Sequence, residues 1–146
     1  AHGLASLRIG YAISNPALAS VLERTRLTFN VNLYAQAAAA RAIADVEHVE
    51  RVRAANASER ARLTADLRSL GLFVFPSQGN FVLVDFERPA KPIEDALLKR
   101  GVIVRPMGGY GLPTCLRITV GLPDENNELL DTLAIVLGES GAQPVP

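Results

Sequence analysis

The stretch RGVIVRPMGGYGLPTCLRITVGLPDENNELLDTL, residues 100–133, combines two short β-branched segments, a glycine-rich segment and the beginning of a periodic apolar segment. Val102–Arg105 and Leu116–Val120 predict two strands, because runs rich in Val, Ile and Thr favour the pleated backbone. The glycines and prolines of Pro106–Pro113 predict a loop between them. Acidic residues after a proline, followed by leucines at helical spacing, predict a helix over Asp124–Leu137.

The segment before this stretch carries a similar pattern. Phe73–Phe75 and Asn80–Phe86 predict two strands around a proline and glycine turn. Pro92–Lys99 predicts a short amphipathic helix that ends before Gly101. Residues 71–138 therefore predict a ββαββα unit, an α+β sandwich with one layer of helices.

A long helical pattern without glycine or proline covers residues 33–70. A helix of ~38 residues would be about 57 Å long, so we expect it to bend or break, near Asn56, and to connect two structural units. Its alanine-rich part, Ala35–Ala44, is apolar almost all round, which predicts burial. Its later part places Leu63, Leu67 and Leu70 at core spacing.

Residues 1–32 predict the end of a larger domain. Leu7–Ser14 predicts a strand, and Asn15 followed by a proline predicts the start of a helix that ends near Leu27. Residues 139–146 predict a flexible tail, because they contain glycine, glutamine and prolines.

The composition excludes several classes of function. The formal net charge is zero, which argues against nucleic-acid binding, and no apolar run approaches the length of a membrane span. Cys115 is the only cysteine, which excludes an internal disulfide and suits a reducing cytoplasm. The histidines, His2 and His48, are isolated, so no metal site is expected. Hydrophobic residues reach 49%, enough for a packed core.

Three arginines lie in apolar or glycine-rich settings. Arg8 follows a short apolar segment, Arg105 ends VIVR, and Arg117 lies inside LRITV. A guanidinium remains charged when it is buried, and it binds carboxylate or phosphate with two parallel hydrogen bonds. These arginines therefore suggest a pocket for an anionic small molecule. The alternative is that each pairs with a structural acid such as Asp85 or Glu94.

Four segments, taken together and in order, resemble one family. AHGLASLRIGYAIS (1–14), TFNVNLYAQAAA (28–39), GNFVLVDF (79–86) and the stretch at 100–133 resemble the fold-type-I pyridoxal-phosphate aminotransferases over about residues 1–138. The last segment is more similar to the histidinol-phosphate aminotransferases than to the aspartate aminotransferases. The resemblance implies an α/β fold: the end of a large mixed-sheet domain, a connecting helix at 33–70, and a small α+β domain at 71–138.

The resemblance also implies roles for particular residues. Arg8 is similar to the arginine that binds the 5′-phosphate of pyridoxal phosphate. Arg117 is similar to the one that binds the substrate's α-carboxylate or an equivalent polar group, and Arg105 to a second arginine that faces the phosphate of histidinol phosphate. We expect the three guanidinium groups to converge on one pocket. Asn30 matches a segment near the dimer interface and active site, whereas Tyr11 and Asn80, which match too, are interpreted as packing and turn residues.

The family's Schiff-base lysine would stand immediately before Ala1 and is not in the chain. Lys91 and Lys99 are interpreted as solvated surface groups, so the chain alone is expected to be inactive. A separately made fragment, a processed polypeptide, or a break at a cofactor-modified lysine would each explain the start at Ala1. The last explains it best.

The resemblance implies an enzyme of histidine biosynthesis that transfers an amino group between histidinol phosphate and 2-oxoglutarate, giving glutamate. It also implies a cytoplasmic homodimer that binds neither nucleic acid nor membrane. One alternative is a related aromatic amino-acid aminotransferase, and the cobalamin-pathway decarboxylases are another. From a different class, the chain could be a non-catalytic α+β module for binding or dimerisation.

Overall fold

The structure is a computed structural model that describes residues 2–141, with side chains up to Glu139. The chain forms two compact units, Ala1–Arg53 and Ala54–Pro146. The boundary between these units lies inside the predicted connecting helix. The expectations for Ala1 and for residues 142–146 lie outside the described residues.

The first unit contains a 3₁₀ turn at Ala5–Leu7, helix α1 at Pro16–Arg24, helix α2 at Leu33–Ala44, and the beginning of α3, which spans Val46–Ser69. Asparagine side chains cap the N-termini of both helices, at Asn15 as predicted and also at Asn32. Asn15 Oδ1 accepts the backbone N–H of Leu18 at 2.9 Å, and Asn32 Oδ1 accepts that of Ala35 at 2.9 Å. Each cap satisfies a donor that the first helical turn would otherwise leave unpaired.

The predicted strand at Leu7–Ser14 was wrong. Leu7 ends the 3₁₀ turn, and residues 8–15 have no regular secondary structure. A strand needs a neighbouring strand to pair its backbone N–H and C=O groups. Among the described residues, the first unit contains no strand that could supply this pairing.

The long helical pattern does break, as predicted, but at Asp45 rather than near Asn56. Asp45 has φ −86° and ψ 71°, outside the helical region, and its Oδ1 accepts the backbone N–H of His48 at 3.0 Å. The aspartate therefore ends one helix and caps the next. Asn56 lies within α3, where its Nδ2 donates to the carbonyl oxygen of Gly79 at 3.1 Å.

Burial differs from the prediction along this helical region. Within Ala35–Ala44 only Ala35 is buried, because the described part of the first unit supplies no element that covers the rest of α2. Leu63 and Leu67 are fully buried as predicted. Leu70 is 37% exposed, because it lies in the turn after the end of α3.

The second unit has the predicted ββαββα order. Its strands are β1 (Phe73–Val74), β2 (Phe81–Asp85), β3 (Arg105–Pro106) and β4 (Cys115–Thr119), and its helices after α3 are α4 (Lys91–Lys99) and α5 (Pro123–Gly141). The strands form an antiparallel four-stranded sheet in the order β1-β2-β4-β3.

Two predicted elements in this unit differ from the structure by more than one residue. The strand expected at Val102–Arg105 begins only at Arg105 and continues into Pro106, which is tolerated because β3 is an edge strand. The last helix continues past Leu137 to Gly141. The predicted helix ends are better placed: Gly71 and Gly101, with φ of +80° and +86°, follow α3 and α4 in the left-handed conformation that glycine favours.

The core lies on one face of the sheet, which α3, α4 and α5 cover. Each fully buried Leu, Ile or Val in it contributes about 1.5–3 kcal/mol relative to exposure. Its main members are Leu63, Leu67, Val74, Val82, Val84, Ile93, Leu97, Leu116, Ile118, Leu133 and Val136. Because strand side chains alternate between faces, the intervening residues, Arg117 and Leu83 among them, lie on the opposite face of the sheet.

Candidate functional site

Two arginines face each other across neighbouring strands of the second unit. Arg105 on β3 is the register partner of Arg117 on β4. Directly opposite residues of an antiparallel pair project from the same face, with Cβ atoms about 4.5–5.5 Å apart, and two like charges in this position repel each other. An anion between the two guanidinium groups would remove this repulsion.

Arg117 is half-buried and incompletely satisfied. Its Nε is buried and has no hydrogen-bond partner within the described part of the chain. Its Cζ lies 5.0 Å from the centroid of the Phe81 ring, a cation–π contact that holds the guanidinium against the sheet. An unpaired buried donor costs roughly 1–3 kcal/mol, so this geometry is typical of a group whose partner is a ligand.

Arg105 is exposed and contacts Tyr110. Its Nη2 donates to the Tyr110 hydroxyl oxygen at 3.1 Å, and its Cζ lies 5.8 Å from the centre of the same ring. Tyr110 ends the 3₁₀ turn Gly108–Tyr110, which lies inside the predicted glycine-rich loop. The loop therefore folds back so that the Tyr110 side chain contacts Arg105, which precedes the loop.

The expected alternative, a structural acid for each arginine, is not what the structure contains. Asp85 Oδ1 accepts the backbone N–H of Glu87 at 2.9 Å, and Glu94 pairs with Lys91 at 3.3 Å. No ion pair joins Arg105 or Arg117 to a carboxylate among residues 2–139. Both guanidinium groups are therefore available to an external anion.

Arg8 lies in the first unit, at the end of the 3₁₀ turn and not on a strand. Its backbone is left-handed, with φ 52° and ψ 42°, and its Nη1 donates to the carbonyl oxygen of Ala5 at 2.9 Å. The side chain is exposed. The structure thus brings Arg105 and Arg117 together, whereas their convergence with Arg8 stays a prediction.

The lysines are surface groups, as predicted. The Lys91 side chain is 68% exposed and pairs with Asp95 and Glu94 on α4. Hydrogen bonds to Asp95 and then to Glu94 raise the pKa of Lys91 above its usual value of 10.5. Lys99 is exposed at the end of the same helix. A charged, paired lysine is unsuited to act as a nucleophile.

The three remaining candidates lie in loops. Asn80 precedes β2, and its carbonyl oxygen accepts the backbone N–H of Val120 at 2.9 Å, consistent with a turn residue. The carbonyl oxygen of Asn30 accepts Arg26 Nη1 at 2.7 Å. Tyr11 is 69% exposed, so the packing role expected for it is not observed in the described residues.

Sequence reasoning missed Phe81 and Tyr110, the two aromatic residues that contact the arginines. The sequence placed Phe81 in a predicted strand. That this strand pairs with the strand of Arg117, and in which register, is visible only in the sheet. The signal for Tyr110 was its position five residues after Arg105, in a glycine-rich loop that can turn back. Neither signal identifies a contact by itself.

Over the residues that the structure describes, no group of three or more His, Cys, Asp and Glu side chains could hold a metal ion. Within the same residues, no helix combines the length and the apolar character needed to cross a bilayer.

Comparisons with known proteins agree on one family. The sequence model of aminotransferase class I and II matches residues 1–133. The chain is 51% identical to histidinol-phosphate aminotransferase 2 of Pseudomonas aeruginosa, over 94% of this chain and 37% of the relative. It is 49% identical to histidinol-phosphate aminotransferase 1 of Mannheimia succiniciproducens, again over 94% and 37%. The chain therefore spans little more than a third of the length of these relatives.

Solved structures give the same result for the fold. Histidinol-phosphate aminotransferase from Sinorhizobium meliloti, in complex with pyridoxal-5′-phosphate, matches with a TM-score of 0.85 and 32% identity over 94% of this chain and 39% of that one. The enzyme of the same name from Clostridium acetobutylicum matches with a TM-score of 0.86 and 25% identity over 94% and 43%. These likenesses confirm the predicted fold class, that of a fold-type-I pyridoxal-phosphate transferase.

Proposed function

Because the chain belongs to the class I and II aminotransferase family, we propose that it is the C-terminal part of a pyridoxal-phosphate-dependent histidinol-phosphate aminotransferase. The complete enzyme would transfer an amino group between histidinol phosphate and 2-oxoglutarate, giving glutamate. Relatives 49–51% identical to this chain carry the name of that activity. The observation that carries the proposal is the pair of adjacent arginines on β3 and β4.

The two substrates differ at the end that the arginines would bind. Histidinol phosphate ends in a phosphate, and 2-oxoglutarate carries two carboxylates. A guanidinium binds either anion through two parallel hydrogen bonds. As the family resemblance implies, we assign the α-carboxylate, or an equivalent polar group, to the half-buried Arg117, and the phosphate to Arg105 on the exposed edge strand. Phe81 would keep Arg117 in place for this role.

One residue of the first unit, Arg8, is a candidate for binding the cofactor's phosphate. Arg8 is exposed, and its one described side-chain hydrogen bond uses Nη1, which leaves guanidinium N–H groups for an anion. We propose that Arg8 holds the 5′-phosphate of pyridoxal phosphate. When bound, this cofactor supplies the electron sink of the reaction, whereas the protein binds and orients the reactants.

The covalent chemistry would belong to a lysine outside the chain. Lys91 is engaged with two carboxylates on the surface of α4, and Lys99 is an exposed residue at the end of that helix. We therefore expect the 146-residue chain alone to be inactive. The complete enzyme is proposed to be a cytoplasmic homodimer, and size-exclusion chromatography with light scattering would test the dimer.

The assay that tests the proposed function compares amino donors. The complete enzyme is purified with its cofactor and given histidinol phosphate or phenylalanine, with 2-oxoglutarate as acceptor, and glutamate is measured. We expect a kcat/KM for histidinol phosphate well above that for phenylalanine. The opposite preference would make the protein an aromatic amino-acid aminotransferase. If neither donor were turned over, the proposal would be refuted. The 146-residue chain serves as the inactive control.

A further inference from the structure

The Tyr110 side chain makes two kinds of contact with the Arg105 guanidinium. The Tyr110 hydroxyl oxygen accepts a hydrogen bond from Nη2 at 3.1 Å, and the ring lies 5.8 Å from Cζ. The hydrogen bond fixes a direction, and the cation–π contact fixes the distance of the guanidinium from the ring. Together they restrict a side chain that, on an exposed edge strand, would otherwise sample many rotamers.

The loop that carries Tyr110 is itself held in place. The backbone N–H groups of Tyr110 and Leu112 both donate to the carbonyl oxygen of Met107, at 2.9 and 3.2 Å, and Met107 N–H donates to Cys115 on β4 at 3.2 Å. Gly111 follows with φ +78°, a conformation that favours glycine. The tyrosine is 65% exposed, so the loop does not bury its ring in the core but presents it to Arg105.

We propose that Tyr110 is a positioning residue that fixes the Arg105 guanidinium beside Arg117 and thereby determines the preference for a phosphate-ended substrate. The proposal rests on the proposed function, because it assumes that Arg105 binds the phosphate. It assigns to Tyr110 no contact with the reacting atoms. Its effect on the substrate passes through Arg105.

The physical reason is preorganisation. A flexible arginine must lose its rotamer freedom when it binds an anion, whereas an arginine that is already held has lost that freedom before the anion arrives. Arg117 is held by Phe81. Tyr110 does the same for the exposed member of the pair, so the Arg105 guanidinium is already fixed when it forms two parallel hydrogen bonds with the phosphate.

The first test replaces Tyr110 by phenylalanine in the complete, cofactor-loaded enzyme. Tyr110→Phe keeps the ring and removes the hydrogen bond. We expect the KM for histidinol phosphate to rise about three- to tenfold, in the range of one lost hydrogen bond, with kcat and the KM for 2-oxoglutarate nearly unchanged. Tyr110→Ala should raise the same KM further. Equal changes for both substrates, or none, would overturn the proposal.

The second test asks whether the effect passes through Arg105. In a double-mutant cycle, Tyr110→Phe is combined with Arg105→Ala, and the KM for histidinol phosphate is measured for all four proteins. We expect Tyr110→Phe to have no further effect when Arg105 is absent. The same fold-change in both backgrounds would contradict the proposal, because it would mean that Tyr110 acts independently. Thermal unfolding midpoints show whether each variant is folded.

A third measurement separates this proposal from the proposed function. If the wild-type enzyme turned over phenylalanine but not histidinol phosphate, the proposed function would fail, and the cycle would then be run on the competitive inhibition of phenylalanine transamination by inorganic phosphate. Tyr110→Phe should raise the inhibition constant several-fold when Arg105 is present and leave it unchanged when Arg105 is replaced. An inhibition constant insensitive to Tyr110, or no inhibition of the wild type, would overturn the positioning role.

Discussion

The two units of the chain differ in how far their apolar residues are buried. In the second unit, leucine, isoleucine and valine side chains from α3, α4, α5 and the sheet form one buried cluster. In the first unit, Ala35 is the one buried hydrophobic residue among those described, while Ile13 and Phe29 are 91% and 96% exposed. Apolar periodicity therefore shows which residues can be buried, and within the described part of the chain only the second unit contains the elements that bury them.

The same difference separates the candidate arginines. Arg105 and Arg117 are placed by strands of a packed sheet, next to Tyr110 and Phe81. Arg8 follows a 3₁₀ turn, and its one described side-chain hydrogen bond goes to a backbone carbonyl oxygen. Site geometry is therefore better defined where the core is complete.

The largest effect is expected at Arg117. In the complete enzyme, Arg117→Ala should reduce kcat/KM by at least about 30-fold, mainly through KM, because removing one member of a desolvated charge pair costs roughly 2–5 kcal/mol. Steady-state kinetics would measure this change. Kinetics like those of the wild type would show that the open face of the sheet does not bind substrate.

The next effect concerns stability, and it should differ between the two units. Leu97 on α4 is fully buried, whereas Leu18 on α1 is 49% exposed. Leu97→Ala should lower the free energy of unfolding by about 2–5 kcal/mol, and the matched change Leu18→Ala by less than about 0.5 kcal/mol. Urea denaturation of the chain at low protein concentration, followed by circular dichroism, would measure both. Similar losses would contradict the difference in packing.

Arg8 should give a smaller effect of a different kind. Arg8→Ala in the complete enzyme should weaken binding of pyridoxal phosphate by roughly 10- to 100-fold, since hydrogen bonds to charged groups contribute about 1.5–3 kcal/mol. Loss of cofactor absorbance on dialysis would measure it, with Arg24→Ala as a control on α1. Unchanged retention of the cofactor would remove Arg8 from the phosphate site.

The smallest effect is a pH dependence in the second unit. Hydrogen bonds from Arg62 and then Asn126 hold the pKa of Glu59 below its usual 4.5. Because the folded pKa is lowered, the stabilisation is present above pH 4.5 and is lost as the pH falls through the folded value. The gap in thermal midpoint between wild type and Glu59→Gln should therefore be constant near pH 7 and narrow below pH 4.5.

A matched control for this prediction is available in α3. Glu47→Gln alters an exposed helix pair with Arg51, so it should shift the midpoint little at any pH. A gap for Glu59→Gln that did not narrow in acid would mean that the carboxylate's charge contributes nothing to the junction of α3 and α5.

Much of the second unit could be predicted from the sequence because its signals are local. Turn glycines such as Gly71 and Gly101, strand segments of β-branched residues and the spacing of Leu63 and Leu67 each depend on nearby residues and on a core that the unit itself provides. Two of the wrong predictions concern segments whose structure depends on a neighbouring element. Leu7–Ser14 needs a neighbouring strand, and Ala35–Ala44 needs an element that covers α2.

The candidate site was predictable in its charges but not in its geometry. A charged guanidinium inside LRITV is conspicuous in a sequence because an apolar strand seldom contains one. The pairing of Arg105 with Arg117 depends on sheet register, and the contact with Tyr110 depends on how the glycine-rich loop folds back. Both are tertiary properties that no local pattern specifies.

The most direct test of the paired arginines as a substrate site is the ratio of kcat/KM for histidinol phosphate to that for 2-oxoglutarate. It is measured in the complete wild-type enzyme and in Arg105→Ala. We expect Arg105→Ala to lower this ratio by about tenfold or more, because a phosphate loses a charge-assisted hydrogen-bond partner worth about 1.5–3 kcal/mol. An unchanged ratio, with equal losses for both substrates, would show that Arg105 is structural and would contradict the proposed site.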